Sequence, residues 1–221
     1  IMLDMKKFKT AIIIVVTIIF FSILFYFFPP KKYIGRLPLL NRFYNNTTVE
    51  VVTQRGKAKV WIDGKDQGET PVTIEDLPEG KYLIEIEKIA PEDTFYKKHS
   101  FNIELSKNTS ARIDVEIAPE DLLHGTILYY TPMRTLSKKG VLTVTTNSEE
   151  SKVYIDNSFV NRSNLANIEL NEGEHKIRIE SEGYQEIELP VFVRENFQLN
   201  LKVYQLPIPI SLDILSKGTN E

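Results

Sequence analysis

The sequence predicts an all-β protein: two tandem small β-sandwich domains preceded by one transmembrane α-helix. Three observations carry that expectation. From residue 48 onward apolar and polar residues alternate with a period of two, as in strands with one buried and one wet face. Residues 59–82, KVWIDGKDQGETPVTIEDLPEGKY, return more faintly at 152–175, KVYIDNSFVNRSNLANIELNEGEH. Residues 11–28, AIIIVVTIIFFSILFYFF, carry no charge.

The apolar run comes first in the chain. As a helix it would extend about 27 Å, close to the roughly 30 Å hydrocarbon thickness of a bilayer. It has no polar stripe, as a buried core helix would. No small-x-small cleavage site follows it, and it meets Pro29-Pro30-Lys31-Lys32 instead, which favours an uncleaved anchor over a signal peptide. The expected arrangement is a cytoplasmic tail and signal anchor within 1–30, its helix covering about 8–28, then a stalk at 31–47. Lys6, Lys7 and Lys9 precede the span, and Lys31, Lys32, Arg36 and Arg42 follow it, so the positive-inside rule is nearly balanced. The acid-rich β part behind such a start favours the short tail inside. Single-pass residence in the plasma membrane, with the bulk extracytoplasmic, is the expectation.

The first domain is expected at 48–118. Val49, Val51 and Thr53 alternate with Glu50, Val52 and Gln54; Lys59 to Asp63 is a strand closed by the turn dipeptide Asp63-Gly64. Residues 70–74 form a further extended piece, and Pro78-Glu79-Gly80 turns the chain into a strand at 82–88. Phe101, Ile103 and Leu105, then Ala111, Ile113, Val115 and Ile117, close the unit. Each run is apolar on one face and polar on the other, so two sheets face to face bury both apolar sides. Residues 119–139 are read as a connector whose Ile127-Leu128-Tyr129-Tyr130 is too apolar to be a free linker. The second domain, 140–206, follows at a constant offset: Lys152, Val153, Tyr154, Ile155 and Asp156 match Lys59, Val60, Trp61, Ile62 and Asp63. Glu172, Gly173 and His175 match Glu79, Gly80 and Tyr82. Residues 207–221 are expected to be a mobile tail.

Composition excludes several classes. The net charge of −3, with acids and bases intermixed, gives no basic surplus for nucleic acid, and the absence of cysteine removes disulfides and thiolate chemistry. The histidines, His99, His124 and His175, lack companions at metal-ligand spacing. Asp63/Asp156 and Glu79/Glu172 recur, but calcium needs six to eight oxygens and these loops offer few. They are read as turn residues, Asp for its local hydrogen bonding and Gly80 and Gly173 for positive φ. Trp61 and Tyr154 hold matching positions on the parity opposite Val60 and Ile62. They are the candidates for contact with a sugar ring or a partner surface.

At these residues the chain resembles the PEGA domain family, named for a Pro-Glu-Gly-Ala turn. Pro78-Glu79-Gly80 carries three of its letters; Ile62-Asp63-Gly64, Gly68 and Thr70-Pro71 supply more of the pattern in the first unit. The second unit has Ile155-Asp156, Glu172-Gly173 and Gly183-Tyr184, with Asn157 in the place of Gly64. The resemblance implies β-sandwich modules of a surface or envelope component, often membrane-anchored, without known enzymatic activity; from the residues themselves no cofactor or metal is expected. The expected role is that of a spacer, adhesion or assembly module. The alternatives are a receptor for cell-wall or surface glycan and a bitopic accessory subunit of an envelope complex. Expected partners are the membrane itself and an envelope protein or glycan.

Overall fold

Among the described residues fifteen strands build three sheets, and one of those sheets runs through both repeats. The computed structural model describes residues 14–20, 22, 47–90, 95–135, 137–162 and 164–209. Compactness divides the chain into Ile1–Asn45 and Asn46–Glu221. In the first unit residues 14–20 and 22 are helical. The rest of the expected anchor, nearly all of the stalk and most of the tail lie outside the described residues. Among the described residues no helix is long and apolar enough to cross a membrane.

The second unit begins with β1 (Thr48–Val52), β2 (Ala58–Ile62), β3 (Lys65–Glu69) and β4 (Val72–Ile74). β5 (Gly80–Lys88), β6 (His99–Leu105) and β7 (Ser110–Ile117) complete the first repeat. β8 (Leu123–Pro132) lies between the repeats. β9 (Lys139–Thr146), β10 (Lys152–Ile155), β11 (Ser158–Arg162), β12 (Leu165–Asn171), β13 (Gly173–Glu180), β14 (Ile187–Val193) and β15 (Phe197–Tyr204) form the second.

Each repeat makes a four-stranded sheet, β3-β2-β5-β6 and β11-β10-β13-β14. The remaining strands join as one seven-stranded sheet in the order β12-β9-β15-β8-β7-β1-β4. β1 is parallel to β7 and β9 to β15, while β8 is antiparallel to both β7 and β15. The order is therefore mirrored about β8, and a half-turn around that strand relates the repeats.

A half-turn about an axis lying in a sheet exchanges its two faces, and a strand on that axis can serve both because successive side chains point to opposite sides. The two cores accordingly lie on opposite faces. Val49, Val60, Ile84, Ile86, Phe101, Ile113 and Val115 are buried between the first small sheet and one half of the large one. Leu142, Val153, Ile177, Ile179, Leu199 and Leu201 are buried on the other side. β8 feeds both: Leu123 and Ile127 enter the first core with Tyr129 packed against it, whereas Tyr130 enters the second with Leu128 beside it. The expected pair of sandwiches is thus present as two cores that share one layer. The sharing arises because the segment read as a connector supplies the strand that pairs with both repeats.

Two glycines permit close approaches, one where β8 meets β7 and one within the second repeat. Gly125, at φ +132°, sits where a Cβ would stand 2.1 Å from the Asp114 carbonyl oxygen in β7. At Gly140 a Cβ would stand 2.4 Å from the Arg194 carbonyl oxygen. Side chains add ties as well: Ser106 Oγ donates to Tyr130 O of β8 at 2.8 Å, and Arg194 Nη1 of the second repeat to Asn108 O of the first at 3.2 Å.

Candidate functional site

The turn region that opened each repeat in the sequence is built the same way twice. Asp63 and Asp156 adopt positive φ, +48° and +51°. The following residues, Gly64 at +76° and Asn157 at +66°, do the same, which is a primed hairpin turn. Asparagine tolerates the left-handed region better than other side chains, which accounts for Asn157 in the place of glycine. In each repeat the aspartate then clamps the neighbouring strand. Asp63 Oδ1 accepts from Leu83 N at 2.9 Å and Asp156 Oδ1 from Lys176 N at 2.9 Å.

A second clamp closes the other turn. The Tyr82 hydroxyl donates to Pro78 O at 2.8 Å, and at the matching position His175 Nε2 bonds Asn171 O at 3.0 Å. Glu79 and Glu172 are exposed, and Gly80 and Gly173 have φ of +154° and +144°. Gly183 and Tyr184 lie in a turn that meets the segment after β15, with Ile208 N donating to Gly183 O at 2.8 Å and Tyr184 paired with Pro207.

His175 and Asp156 look like half of a catalytic triad, at 2.7 Å between Nδ1 and Oδ2. The geometry assigns a different task. A general base needs its second nitrogen free for the substrate, and here Nε2 is turned onto a backbone carbonyl. Both nitrogens face acceptors, so both bonds form together only when the ring is an imidazolium. Burial pushes the His175 pKa down, but the bonds to Asp156 and to the Asn171 carbonyl outweigh it, and the net direction is up. The Lys176 backbone N–H and then His175 hold Asp156 below its ordinary value.

The sign of the pH effect follows. The raised His175 pKa contributes stability that is present below about pH 6.5, the unfolded value, and is lost as pH rises through the folded value. The lowered Asp156 pKa contributes above the usual carboxylate value and is lost as pH falls through its own. Asp156 is 54% exposed, so the pair is worth below about 1 kcal/mol. Asp156→Asn keeps the turn geometry and removes the charge. We expect it to lower the His175 imidazole pKa in an NMR titration; an unchanged midpoint would refute the ion pair.

The contact candidates lie on the outer faces of the small sheets, half-buried and facing away from both cores. Each ring carries a cation. Lys98 Nζ sits 4.3 Å from the Trp61 ring centroid and pairs with Glu85 at 2.9 Å. Arg178 lies 4.0 Å over Tyr154, whose ring also meets Phe159 edge-on at 5.7 Å. The structure does not bring Trp61 and Tyr154 together, since they belong to separate sheets.

Two clefts accompany these features. One of about 360 Å³ is lined by Asp156, His175, Lys176, Glu188 and Pro190. The other, about 250 Å³, lies where β14 steps onto the large sheet beside Gln54, Asp114, His124 and Thr126. Burial lowers the His124 pKa despite the opposing pull of Glu116, and burial likewise lowers that of His99. Among the described residues no three His, Asp or Glu side chains converge to hold a metal. The fully buried Gln205 is satisfied internally: it accepts from Ser181 Oγ at 2.6 Å and donates to Ile179 O and Gln185 O at 3.2 and 2.9 Å.

The residues with the tightest constraint, Gly125 and Gly140, carried no motif. A glycine at a close strand contact is recognisable only once its neighbour is known.

A family model for the PEGA domain matches residues 46–121 and 139–206, the two repeats just described. The chain belongs to the PEGA domain family. The clamps above belong to the turns of its two PEGA repeats, and β8 lies largely between the matched regions. Among solved structures the chain is similar to the Bacillus anthracis TIE protein, with 14% identity and a TM-score of 0.24 over 75% of this chain and 34% of that one. The chain therefore spans about a third of that protein's length, and a likeness of this size carries no argument. No curated protein matches the chain.

Proposed function

We propose that this PEGA protein is a non-catalytic component of the cell envelope, held by a single N-terminal membrane helix with its β unit outside the cytoplasm. The β unit acts as a stiff spacer or assembly module. The observation that carries the reading is the seven-stranded sheet through both repeats. A shared sheet cannot flex between its halves without breaking the pairing of β8 with β7 or β15, so the unit behaves as one body. Six strand spacings of about 4.8 Å give the sheet a width of roughly 29 Å. The uncharged run at 11–28 supports the anchor.

The cations stacked on Trp61 and Tyr154 speak against a glycan receptor built on those rings. The burial of Ile127 and Tyr130 in β8 takes away the uncovered connector that an accessory subunit would present.

Fractionation should place the chain in the membrane pellet, resistant to alkaline extraction. Protease added to intact cells should remove the β unit while a cytoplasmic control protein survives. Full protection of the β unit, or release of the chain by high salt, would overturn this reading.

A further inference from the structure

Six strands end the three sheets: β4 and β12, β3 and β6, β11 and β14. An open edge is a template for another strand, and proteins blunt it by shortness, charge, bulges, proline or cover. β4 has only three residues. β12 shifts register between Leu165 and Ile168 and exposes Glu169. β6 has a carbonyl held by the second repeat, and β14 has one held by β8. Lys202 Nζ donates to Asn102 O at 3.2 Å and the Tyr130 hydroxyl to Phe192 O at 2.5 Å, and β14 contains Pro190. β3 reads Lys-Asp-Gln-Gly-Glu and folds Asp66 onto Gly68 N at 2.7 Å.

Among the described residues, β11 is the edge whose only such feature is a bulge, at Val160, with neither charge nor proline within Ser158 to Asn161. It holds the place of β3 in the second repeat and carries the same bulge, opposite Val153/Tyr154 as β3 does opposite Val60/Trp61. The residues differ. Where the first repeat has Asp66 and Gln67, β11 has Phe159 and Val160, 55% and 37% exposed.

We infer that β11 is a self-association edge: two copies of this chain pair antiparallel through it, joining their four-stranded sheets into one. Charge selects both the occupant and the direction. In the β10–β11 hairpin the basic residues Lys152 and Arg162 are partners at the open end, and Asp156 sits at the turn. Antiparallel pairing centred on Val160 sets each basic end toward the other copy's Asp156 turn and places Ser158 opposite Arg162. Parallel pairing would set like charges side by side. Ser158 to Asn161 carry no charge, so nothing in that stretch repels its own copy. The contact is isologous and closes at two chains.

The chain contains no cysteine, so Val160→Cys introduces a lone thiol. On the twofold axis the paired Cα atoms would lie about 4.5–5.5 Å apart, within disulfide reach. Mild oxidation of cells making the full-length variant should give a reducible dimer. It should exceed several-fold the dimer from Gln67→Cys, which occupies the same place on the charged edge. Adding Phe159→Asp, which copies the residue of the first repeat, should abolish the cross-link while the protein still unfolds in one cooperative transition; Phe159→Lys should do the same. A Val160→Cys yield no higher than that of Gln67→Cys would overturn the inference. So would a cross-link to a different protein, or one that survives both Phe159 variants.

Discussion

Gly125→Ala is expected to destabilise the β unit by more than about 3 kcal/mol, the range reserved for backbone strain combined with overpacking. The added methyl would lie 2.1 Å from the Asp114 carbonyl oxygen and 2.9 Å from Val115 Cα. Both are main-chain atoms of a paired strand and cannot turn aside as a flexible side chain could. The backbone at φ +132° also suits few residues other than glycine. Relief requires β7 and β8 to separate, and that pairing joins the repeats. Gly183→Ala is the control. Its φ of +76° is also left-handed, but nothing lies within 4 Å of the added carbon, so about 1–2 kcal/mol of conformational cost is expected. Chemical denaturation followed by circular dichroism measures both. A loss for Gly125→Ala no larger than the control's would refute the close approach.

Leu201→Ala is expected to lower the unfolding transition reported by Trp61, although the two residues belong to different repeats. Leu201 is 1% exposed in the second core, where truncation costs about 2–5 kcal/mol. Trp61 is the only tryptophan in the chain and sits on the outer sheet of the first repeat. If the repeats were separate beads, its fluorescence would ignore the second core. Because β8 pairs with β7 through Leu123–Leu128 and with β15 through Gly125–Pro132, unfolding either repeat strips one side of a strand the other needs. One cooperative transition should therefore shift as a whole. A Trp61 transition that stays in place while circular dichroism splits into two steps would show that the shared sheet does not couple the repeats.

These expectations depend on the region least legible in the sequence. Strands that face one core display their alternation openly: Val49 and Val51, Ile84 and Ile86, or Ala111, Ile113, Val115 and Ile117. β8 does not. Its odd positions Leu123, Ile127 and Tyr129 serve the first core, and its even positions Leu128 and Tyr130 serve the second. Two period-two patterns of opposite phase overlap to give a continuous apolar run, which is why it reads as an apolar connector. β3 and β11 were hidden for another reason. An edge strand over a turn buries little of either face, so Lys65 to Glu69 has no apolar rhythm to detect.

The turn candidates were legible because their chemistry is local. Asp63, Gly64, Asp156, Gly80 and Gly173 act through their own φ and through strands a few residues away. Tyr82 and His175 also share one task, a hydrogen bond to the carbonyl four residues back. That equivalence shows only when the two turns are superposed. Trp61 and Tyr154 could be marked from the sequence as facing away from the core. The cations that cover them could not, since Lys98 arrives from the segment before β6 and Arg178 from β13.

The sequence by itself determined the strands with one buried face, the two primed turns, the twofold repetition and the family. Each of these depends on the period of the chain or on residues close together in it. Only the tertiary structure decided that the repeats share a sheet, that their cores lie on opposite faces, and that one edge differs from its copy by being apolar. Those outcomes rest on which surfaces remain free after local pairing is complete. That is a property of strands far apart in the chain, and no short motif encodes it.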